Sequence, residues 1–286
     1  MLDKGILLVA YGHPFYARLA HNLLASLKYH NKDLDVAICV AKEGFGLLLD
    51  SEKDRFDIII DIPEEYYTDE TGSIDPYKIK LHLDQLTPFK KTLFLDVDMI
   101  WNNFKKPLDL IDSLNGNEFK IICRDKISCS SDNLKSAWVN LKEVKDKYGI
   151  ENVYDISSEL IYFEHNTTIF NLARKVYNEK LINVSKFGIG TPDEVYIMIA
   201  MALNNIEYDS NSWEPTYWEP RHYPRQHSRE YISNSYAMSI GGAFVSNHIK
   251  NIYESLCKHY FYSLGIGTPP FQLINKSRVF NERRKI

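Results

Sequence analysis

Two aspartates separated by one residue, Asp96 and Asp98, stand directly after the strand-like run of residues 92–95. Side chains of an extended chain alternate, so both carboxylates are expected to point to the same side. Two like charges this close repel each other unless a cation lies beside them. Carboxylate oxygens select hard divalent ions, and Mg²⁺ or Mn²⁺ held in this way shares its remaining positions with substrate phosphates. The segment Asp96-Val97-Asp98 therefore predicts a site for a divalent metal ion and a phosphate-bearing ligand.

Alternating strand and helix signals precede this segment. Strand-like runs occupy residues 6–9, 36–40 and 58–62, and helical periodicity covers residues 16–27 and 76–86. This alternation predicts βαβ units and an α/β fold built around a mostly parallel sheet. Ligands of such sheets bind beyond the carboxyl ends of the strands, which is where the aspartate pair and the turn after the first strand fall.

The pattern loosens in the second part of the chain. We predict strands at residues 121–124 and 160–163 and helices at residues 166–180 and 192–203. Residues 212–235 are dense in Pro, Trp, Tyr, Arg and His without a clean period, and we predict a long functional loop there. The final dozen residues are expected to be frayed or to face a partner.

The composition bounds the class of protein. The chain has 286 residues, of which 44% are hydrophobic and 25% charged, as in ordinary globular proteins. A net charge of −4 excludes a generally basic protein that coats nucleic acid. The four cysteines form no CxxC pair, which favours free thiols in a reducing compartment. The apolar run at the N-terminus is too short for a signal segment or a membrane span, so we expect a cytoplasmic protein with no membrane partner.

The N-terminal part of the chain, up to and including the aspartate pair, resembles the nucleotide-binding half of GT-A-fold glycosyltransferases. The matching elements are a first strand that ends in Ala10-Tyr11, a helix that carries Lys78 and Lys80, and the strand that runs into the aspartates. Family 8, the group of glycogenin and related galactosyltransferases, is closest in layout. The resemblance implies that Ala10 and Tyr11 hold the nucleobase and that Lys78 or Lys80 contacts the donor. It also implies that Asp96-Val97-Asp98 binds the metal and the diphosphate.

Two later segments resemble the sugar-binding part of the same family. Ser158 and Glu159 occupy the segment that faces the donor and acceptor sugars, although the usual Asn-x-Gly is missing. Asp193-Glu194, before an apolar helix, resembles an Asp-Gln motif whose acid lies near the transferred sugar. The resemblance implies that Asp193 or Glu194 holds sugar hydroxyls or acts on the acceptor. A plain helix N-terminus, where acids are favourable in any case, is the alternative interpretation.

The C-terminal His-x-x-Gly-x-x-Lys-Pro-Trp motif of family 8 is absent from this chain. The nearest candidate is His248, which follows the apolar residues 243–245 and precedes Lys250 by two positions. We expect His248 to serve as a third metal ligand at the end of a short strand, with Lys250 on a phosphate. His259 is an alternative candidate for the same role.

The acceptor is expected to bind in the aromatic and basic loop. Trp213 and Trp218 offer stacking faces for sugar rings, and Arg221 and Arg225 offer cations for phosphates. Two acceptor classes fit these residues: a glycan, or an anionic acceptor such as a hydroxylated base in DNA that is flipped out of its stack.

The sequence thus predicts a GT-A-type α/β protein with a nucleotide-sugar-binding half, residues 1–110, and an acceptor-binding half, residues 111–286, of one domain. Its expected activity is metal-dependent transfer of a sugar from a nucleotide-sugar donor to an acceptor hydroxyl. The expected donor is a UDP-sugar, and the expected cofactor is Mn²⁺ or Mg²⁺. Two alternatives stay open: a phosphatase of the haloacid-dehalogenase type with Asp96 as nucleophile, and a non-catalytic sugar-binding protein on the same scaffold. Ile100 stands where such phosphatases have Thr or Val, and no Gly-rich loop of a nucleotidyltransferase follows the first strand.

Overall fold

The computed structural model describes residues 1–11, 14–41, 54–102, 105–130, 139–180, 192–208, 213, 215–218, 232, 234–241 and 246–269. The strands in these residues are β1 (Leu2–Ala10), β2 (Val36–Val40), β3 (Ile58–Asp61), β4 (Phe89–Leu95), β5 (Met99–Trp101), β6 (Phe119–Ser128), β7 (Asn152–Glu164), β8 (Thr216–Trp218) and β9 (Ala237–Ser239). The helices are α1 (Pro14–His30), α2 (Leu83–Leu86), α3 (Pro107–Ser113), α4 (Leu141–Tyr148), α5 (Ile169–Asn178), α6 (Asp193–Leu203) and α7 (Asn247–Leu264).

A six-stranded sheet forms the centre of the molecule, in the order β3-β2-β1-β4-β7-β6. The first four strands of that order are parallel, and β7 runs antiparallel to both β4 and β6. All five residues of β2 are buried, as are most residues of β1 and β4. Strands covered on both faces read as continuous apolar runs, which is why the sequence signalled them clearly.

Two hydrophobic clusters lie on the two faces of this sheet, and alternate residues of a strand belong to different clusters. Ile6 and Leu8 join the cluster that α1, α3 and α7 cover, whereas Leu7 joins the cluster that α2, α4, α5 and α6 cover. The period of two along a strand delivers both sets from one continuous apolar run. The result is a three-layer arrangement of helices, sheet and helices, as predicted for an α/β chain.

A second, three-stranded sheet has the order β5-β9-β8 and packs in the α1 and α7 layer. The Trp101 amide, at the end of β5, donates a hydrogen bond of 3.0 Å to Ser26 Oγ of α1. The Trp101 carbonyl accepts a bond of 2.9 Å from the Tyr260 hydroxyl of α7. These bonds satisfy the backbone of a short strand that has few ladder partners of its own.

Several elements differ from the sequence prediction. The predicted helix over residues 76–86 is a 3₁₀ turn, Lys78–His82, followed by the single-turn α2. In a 3₁₀ turn residues i and i+3 share a face, so both Ile79 and His82 are buried. Pro88 ends the segment, because Thr87 before it is extended with ψ 135°.

The remaining differences lie in the second part of the chain. Strands β6 and β7 extend well beyond the predicted 121–124 and 160–163. Residues 216–218, predicted as part of a loop, form β8, and most of that loop and the predicted C-terminal tail lie outside the described residues. All four cysteines are free thiols, as predicted, and all four are buried. In the parts of the chain that the structure describes, no helix is long and apolar enough to cross a membrane.

Candidate functional site

The candidate site lies at the carboxyl edge of the parallel strands, where the order of the sheet reverses. From β1 the chain builds β2 and β3 on one side, and β4 then pairs with β1 on the other. Open α/β sheets bind their ligands in the crevice at such a switch point. Leu8 of β1 pairs with Leu95 of β4, so Asp96 leaves β4 at the level of the last residues of β1. Ala10, the last residue of β1, and Tyr11, which follows it, therefore lie at the same edge as Asp96.

The Asp96-Val97-Asp98 segment connects the two sheets. The Asp96 amide donates a hydrogen bond of 2.8 Å to the Glu159 carbonyl and continues the β4–β7 pairing by one residue. The Asp98 carbonyl accepts a hydrogen bond of 2.9 Å from the Ile240 amide and continues the β5–β9 pairing in the same way. Val97 is buried in the core between them, while both aspartates stay partly exposed. The backbone thus fixes both carboxylates at the edge of the sheet.

Lys80 is a cation that the fold brings to Asp96 of this pair. Its Nζ lies 2.9 Å from Asp96 Oδ2, 3.1 Å from Ser158 Oγ and 3.3 Å from the Ser158 carbonyl oxygen. Burial lowers the pKa of Lys80, but the charges of Asp96, Asp193 and Glu194 outweigh that effect and raise its pKa above the usual value. Lys80 is therefore held as an ammonium among carboxylates.

The carboxyl group of Asp96 is perturbed in the opposite sense to an ordinary ion-paired aspartate. Burial raises the pKa of Asp96 to about 6; Lys80 opposes this shift, and the neighbouring Asp98 adds to it. Two carboxylates that disfavour each other's ionisation mark a place that a further cation would stabilise. The pair fits a hard divalent ion that takes its other ligands from phosphate and water.

The first turn of α6 supplies two more carboxylates. Glu194 Oε1 accepts a hydrogen bond of 3.3 Å from the Ser158 amide, and burial together with the charge of Asp193 raises the pKa of Glu194 to about 8. Asp193 is only 4% exposed, and its Oδ2 has no hydrogen-bond partner among the residues that the structure describes. A buried carboxylate oxygen without a partner is costly, so its presence here favours a role toward a ligand over a purely structural one. Thr191, before this helix, lies outside the described residues.

Ser158 and Glu159 reach the site because the β6–β7 pairing is irregular there. Ile121 pairs with Ile161, but the next residue, Ile122, pairs with Ser157, so three residues of β7 lie opposite no residue of β6. Bulges of this kind bend a strand and re-aim its side chains, and they are frequent beside functional sites. Beside this irregularity the Ser158 hydroxyl lies 3.1 Å from Lys80 Nζ, which also contacts Asp96.

The side chain of Glu159 is held from the small sheet. Glu159 Oε1 accepts a hydrogen bond from the hydroxyl of Thr216, which is fully buried in β8. Because the Glu159 backbone also binds Asp96, this residue links β7, β4 and β8 at one point. Thr216 is a residue that the sequence did not single out, since it lies in a segment with no periodic signal.

Lys78, the other lysine considered for the donor, is engaged elsewhere. Its Nζ donates to the carbonyl oxygens of Glu65 and Thr68, at 2.7 Å each, and lies 5.8 Å from the centroid of the Tyr177 ring. Lys78 thus fastens the segment that follows β3. That segment carries Tyr67, whose ring centroid lies 4.7 Å from that of Tyr11.

Tyr67 was missed by the sequence analysis, because nothing in its local pattern predicts a contact with a residue 56 positions earlier. Together Tyr11 and Tyr67 place two partly buried rings at the end of β1. An aromatic pair of this kind offers a flat apolar surface with polar tips.

The C-terminal candidates are placed on a helix. His248 and Lys250 lie in the first turn of α7, which begins after Ser246, whose hydroxyl oxygen accepts a bond of 3.4 Å from the Ile249 amide. His248 is thus helical, which corrects the expectation of a strand end; residues 243–245 lie outside the described residues. The side chain of His248 is exposed. Within the described ranges no group of three or more His, Cys, Asp or Glu side chains is arranged to hold a metal ion.

The expected acceptor residues are only partly described. Trp213 and Trp218 are partly buried and pack against the hydrophobic cluster on the α1 and α7 side of the sheet. Arg221 and Arg225 lie outside the described residues.

Comparison with known proteins shows which solved structures share this architecture. No protein-family model matches the sequence, and no curated protein matches it significantly. Solved structures do match. The galactosyltransferase LgtC, in complex with donor and acceptor sugar analogues, superposes with a TM-score of 0.53 at 14% identity over 88% of this chain and 95% of LgtC.

Two further glycosyltransferases are similar over nearly the whole chain. The bifunctional glycosyltransferase WbbM gives a TM-score of 0.57 at 13% identity, over 98% of this chain and 51% of WbbM. GlyE of Streptococcus pneumoniae gives 0.52 at 12% identity, over 99% of this chain and 63% of GlyE. This chain therefore spans about half of WbbM and under two thirds of GlyE. At these identities the likeness shows the architecture, and the chain has the GT-A fold of these glycosyltransferases, as the sequence predicted.

Proposed function

We propose that this protein is a metal-dependent glycosyltransferase that moves a sugar from a nucleotide-sugar donor, a UDP-sugar, to an acceptor hydroxyl. The observation that carries the proposal is the convergence of Lys80, Asp193 and Glu194 on the Asp96/Asp98 pair at the switch point of a GT-A fold. Three separate parts of the chain supply these groups: the 3₁₀ turn that carries Lys80, the segment after β4, and the first turn of α6.

The donor would lie across the carboxyl edge of the sheet. The base would stack on Tyr11, whose ring is supported by Tyr67. Asp96 and Asp98 would hold Mn²⁺ or Mg²⁺, which when bound neutralises the diphosphate leaving group. Lys80, 2.9 Å from Asp96, would add a second positive charge near the phosphates.

The transferred sugar would face α6 and the irregular part of β7. Asp193 Oδ2, which has no hydrogen-bond partner within the described ranges, can accept a hydrogen bond from a sugar hydroxyl, which would satisfy a buried oxygen. Glu194, held by the Ser158 amide, lies beside it and can hold a proton near neutral pH. Glu159, whose carboxylate accepts a hydrogen bond from Thr216, is the residue that we propose binds the acceptor hydroxyl.

We further propose a glycan as the acceptor. The net charge of −4 disfavours tight binding to duplex DNA, and the two tryptophans offer stacking faces for sugars. The four free thiols, all buried, suit a reducing cytoplasm.

Calorimetric titration of UDP into the purified protein, with Mn²⁺ and then with EDTA, tests the donor half of the proposal. We expect binding with Mn²⁺ that is lost with the chelator, and GDP, CDP and dTDP as weaker ligands. A matched control is Asp146→Asn, which removes a carboxylate from an exposed ion pair on α4 and should leave UDP binding unchanged.

Screening of UDP-sugars with glycan acceptors then tests turnover. Failure of all four nucleotides to bind would contradict the proposal. The phosphatase and sugar-binding interpretations would then be tested with a phosphate ester and with free glycans.

A further inference from the structure

The Lys80 ammonium contacts oxygen atoms at the aspartate pair, as a bound metal ion would. An ammonium has three donors, and three oxygen atoms surround Lys80 Nζ: Asp96 Oδ2, Ser158 Oγ and the Ser158 carbonyl oxygen, at 2.9–3.3 Å. The carboxylate oxygen among them belongs to the aspartate pair that is expected to bind a divalent cation. One oxygen of that pair is therefore already taken by a cation that the chain itself supplies.

The charges around Lys80 explain why this contact is strong. Asp96, Asp193 and Glu194 all act on the ammonium, and the charge of Arg124 acts on Glu194 as well. The side chains of Lys80 and Asp96 are 19% and 29% exposed, so bulk water screens the pair only in part while a dissolved ion can still reach it.

A divalent cation at Asp96 and the Lys80 ammonium would repel each other at such short range. Two cations beside one carboxylate repel each other, and a further anion that contacts both reduces this repulsion. A nucleoside diphosphate is an anion of the required kind, since its oxygens can contact the ammonium and the metal ion at once.

From this geometry we infer that Lys80 and a divalent cation compete for Asp96, and that a nucleoside diphosphate relieves the competition so that metal and nucleotide bind cooperatively. The first half concerns only the chain's own residues and the metal ion. The second half rests on the proposed function. By linkage the coupling is reciprocal: Mn²⁺ tightens the binding of UDP by the factor by which UDP tightens the binding of Mn²⁺.

The test measures the affinity for Mn²⁺ by electron paramagnetic resonance of the free ion, first without nucleotide. Lys80→Gln removes the competing charge, and we expect it to bind Mn²⁺ at least about 5-fold more tightly than the wild type, the lower end of usual coupling factors. Lys80→Arg keeps the charge and should stay close to the wild type. Lys142→Gln removes a lysine from an exposed ion pair on α4 and controls for net charge.

The second measurement repeats the titration with saturating UDP. The wild type should gain affinity for Mn²⁺, and Lys80→Gln should gain less, because its competition has already been removed. Circular dichroism and thermal melting check that each variant is folded. Should Lys80→Gln not fold, Ser158→Ala loosens the ammonium without deleting it and should still strengthen Mn²⁺ binding.

Equal or weaker nucleotide-free Mn²⁺ binding by folded Lys80→Gln, and by Ser158→Ala, would overturn the inference even if UDP binds as proposed. The converse result separates the two proposals. Tighter Mn²⁺ binding by Lys80→Gln with no response to any nucleoside diphosphate would support the competition and overturn the proposed function.

Discussion

The Ile240 amide donates a hydrogen bond of 2.9 Å to the carbonyl of Asp98, two residues after the Asp96 amide binds Glu159 at 2.8 Å. The backbone on both sides of the aspartate pair is thus held by other strands, independently of the two carboxylates. Changes to those side chains should therefore affect the chemistry of the site far more than the fold.

The first prediction concerns Asp98. Replacing it with Asn keeps its size and leaves its carbonyl bond to Ile240 in place, but removes one of the two charges that we propose hold the metal ion. We expect Asp98→Asn to lose about 10²–10³-fold in turnover, as when one group that stabilises developing charge is removed. Its melting temperature should be close to that of the wild type. Near-normal turnover in the folded variant would contradict the assignment of the metal site.

A second prediction uses Glu194, whose pKa burial and Asp193 raise from 4.5 to about 8. In the unfolded chain this group loses its proton near pH 4.5, so between pH 4.5 and 8 the folded state binds more protons than the unfolded state. Stability should therefore fall as pH rises through this window, by at most about 1.4 kcal/mol per pH unit from this group.

Urea denaturation of wild type and Glu194→Gln between pH 6 and 8 measures the effect. The variant should show a flatter dependence, and histidine contributions cancel because both proteins share them. Glu207→Gln, at an exposed position, is the control and should follow the wild type. Parallel curves for Glu194→Gln and the wild type would show that this carboxyl does not titrate abnormally.

A third prediction addresses the two tyrosine rings. Stacking of a base on an aromatic side chain contributes about 1–3 kcal/mol, so Tyr11→Ala should weaken UDP binding about 5- to 150-fold. Tyr67→Ala should weaken it less, because this ring acts by supporting Tyr11. Tyr67→Phe, which keeps the ring, should bind UDP as the wild type does.

Calorimetry with UDP gives these affinities, and Tyr262→Ala is the control because that side chain is 87% exposed on α7. Unchanged UDP binding by Tyr11→Ala would contradict the proposal that the nucleobase stacks on Tyr11 at the end of β1.

A fourth prediction concerns the close approach of Gly241 to Trp218. Gly241 has a φ of +20°, and a Cβ at this position would overlap the Trp218 indole. Gly241→Ala must displace that ring or the backbone beside Ile240, and we expect a loss of about 1–3 kcal/mol in the free energy of unfolding. Urea denaturation measures it. The double variant Gly241→Ala, Trp218→Phe should recover part of the loss, since the smaller ring makes room; simple additivity would mean that the two residues do not clash.

The sequence revealed best what depends on local pattern. Apolar runs located β1, β2 and β4 and predicted a parallel sheet, because buried strands need apolar residues on both faces. The same pattern fixed which edge carries Asp96 and Tyr11. It could not distinguish Lys78 from Lys80, since the choice depends on a 3₁₀ turn that an α-helical period does not describe.

Non-local contacts escaped the sequence for a different reason. Tyr67 and Thr216 touch their partners across the fold, and their neighbours in sequence give no sign of it. The helical position of His248 left a signal that was overlooked. Ser246 is a good N-cap residue, and the apolar residues 249, 253, 257 and 260 that follow have a helical spacing.

The passage of the chain from one sheet to the other within Asp96-Val97-Asp98 has a consequence for exchange of backbone hydrogen with solvent. Only Val97 separates the two carboxylates. A ligand that bound both of them would therefore hold the six-stranded sheet and the small sheet of β5, β8 and β9 together. Opening of the small sheet would then require release of that ligand, and amides such as that of Ile240 report such local opening. Slower deuterium uptake at the Ile240 amide, which lies far along the chain from the two aspartates, would report that the site is occupied without any measurement of turnover.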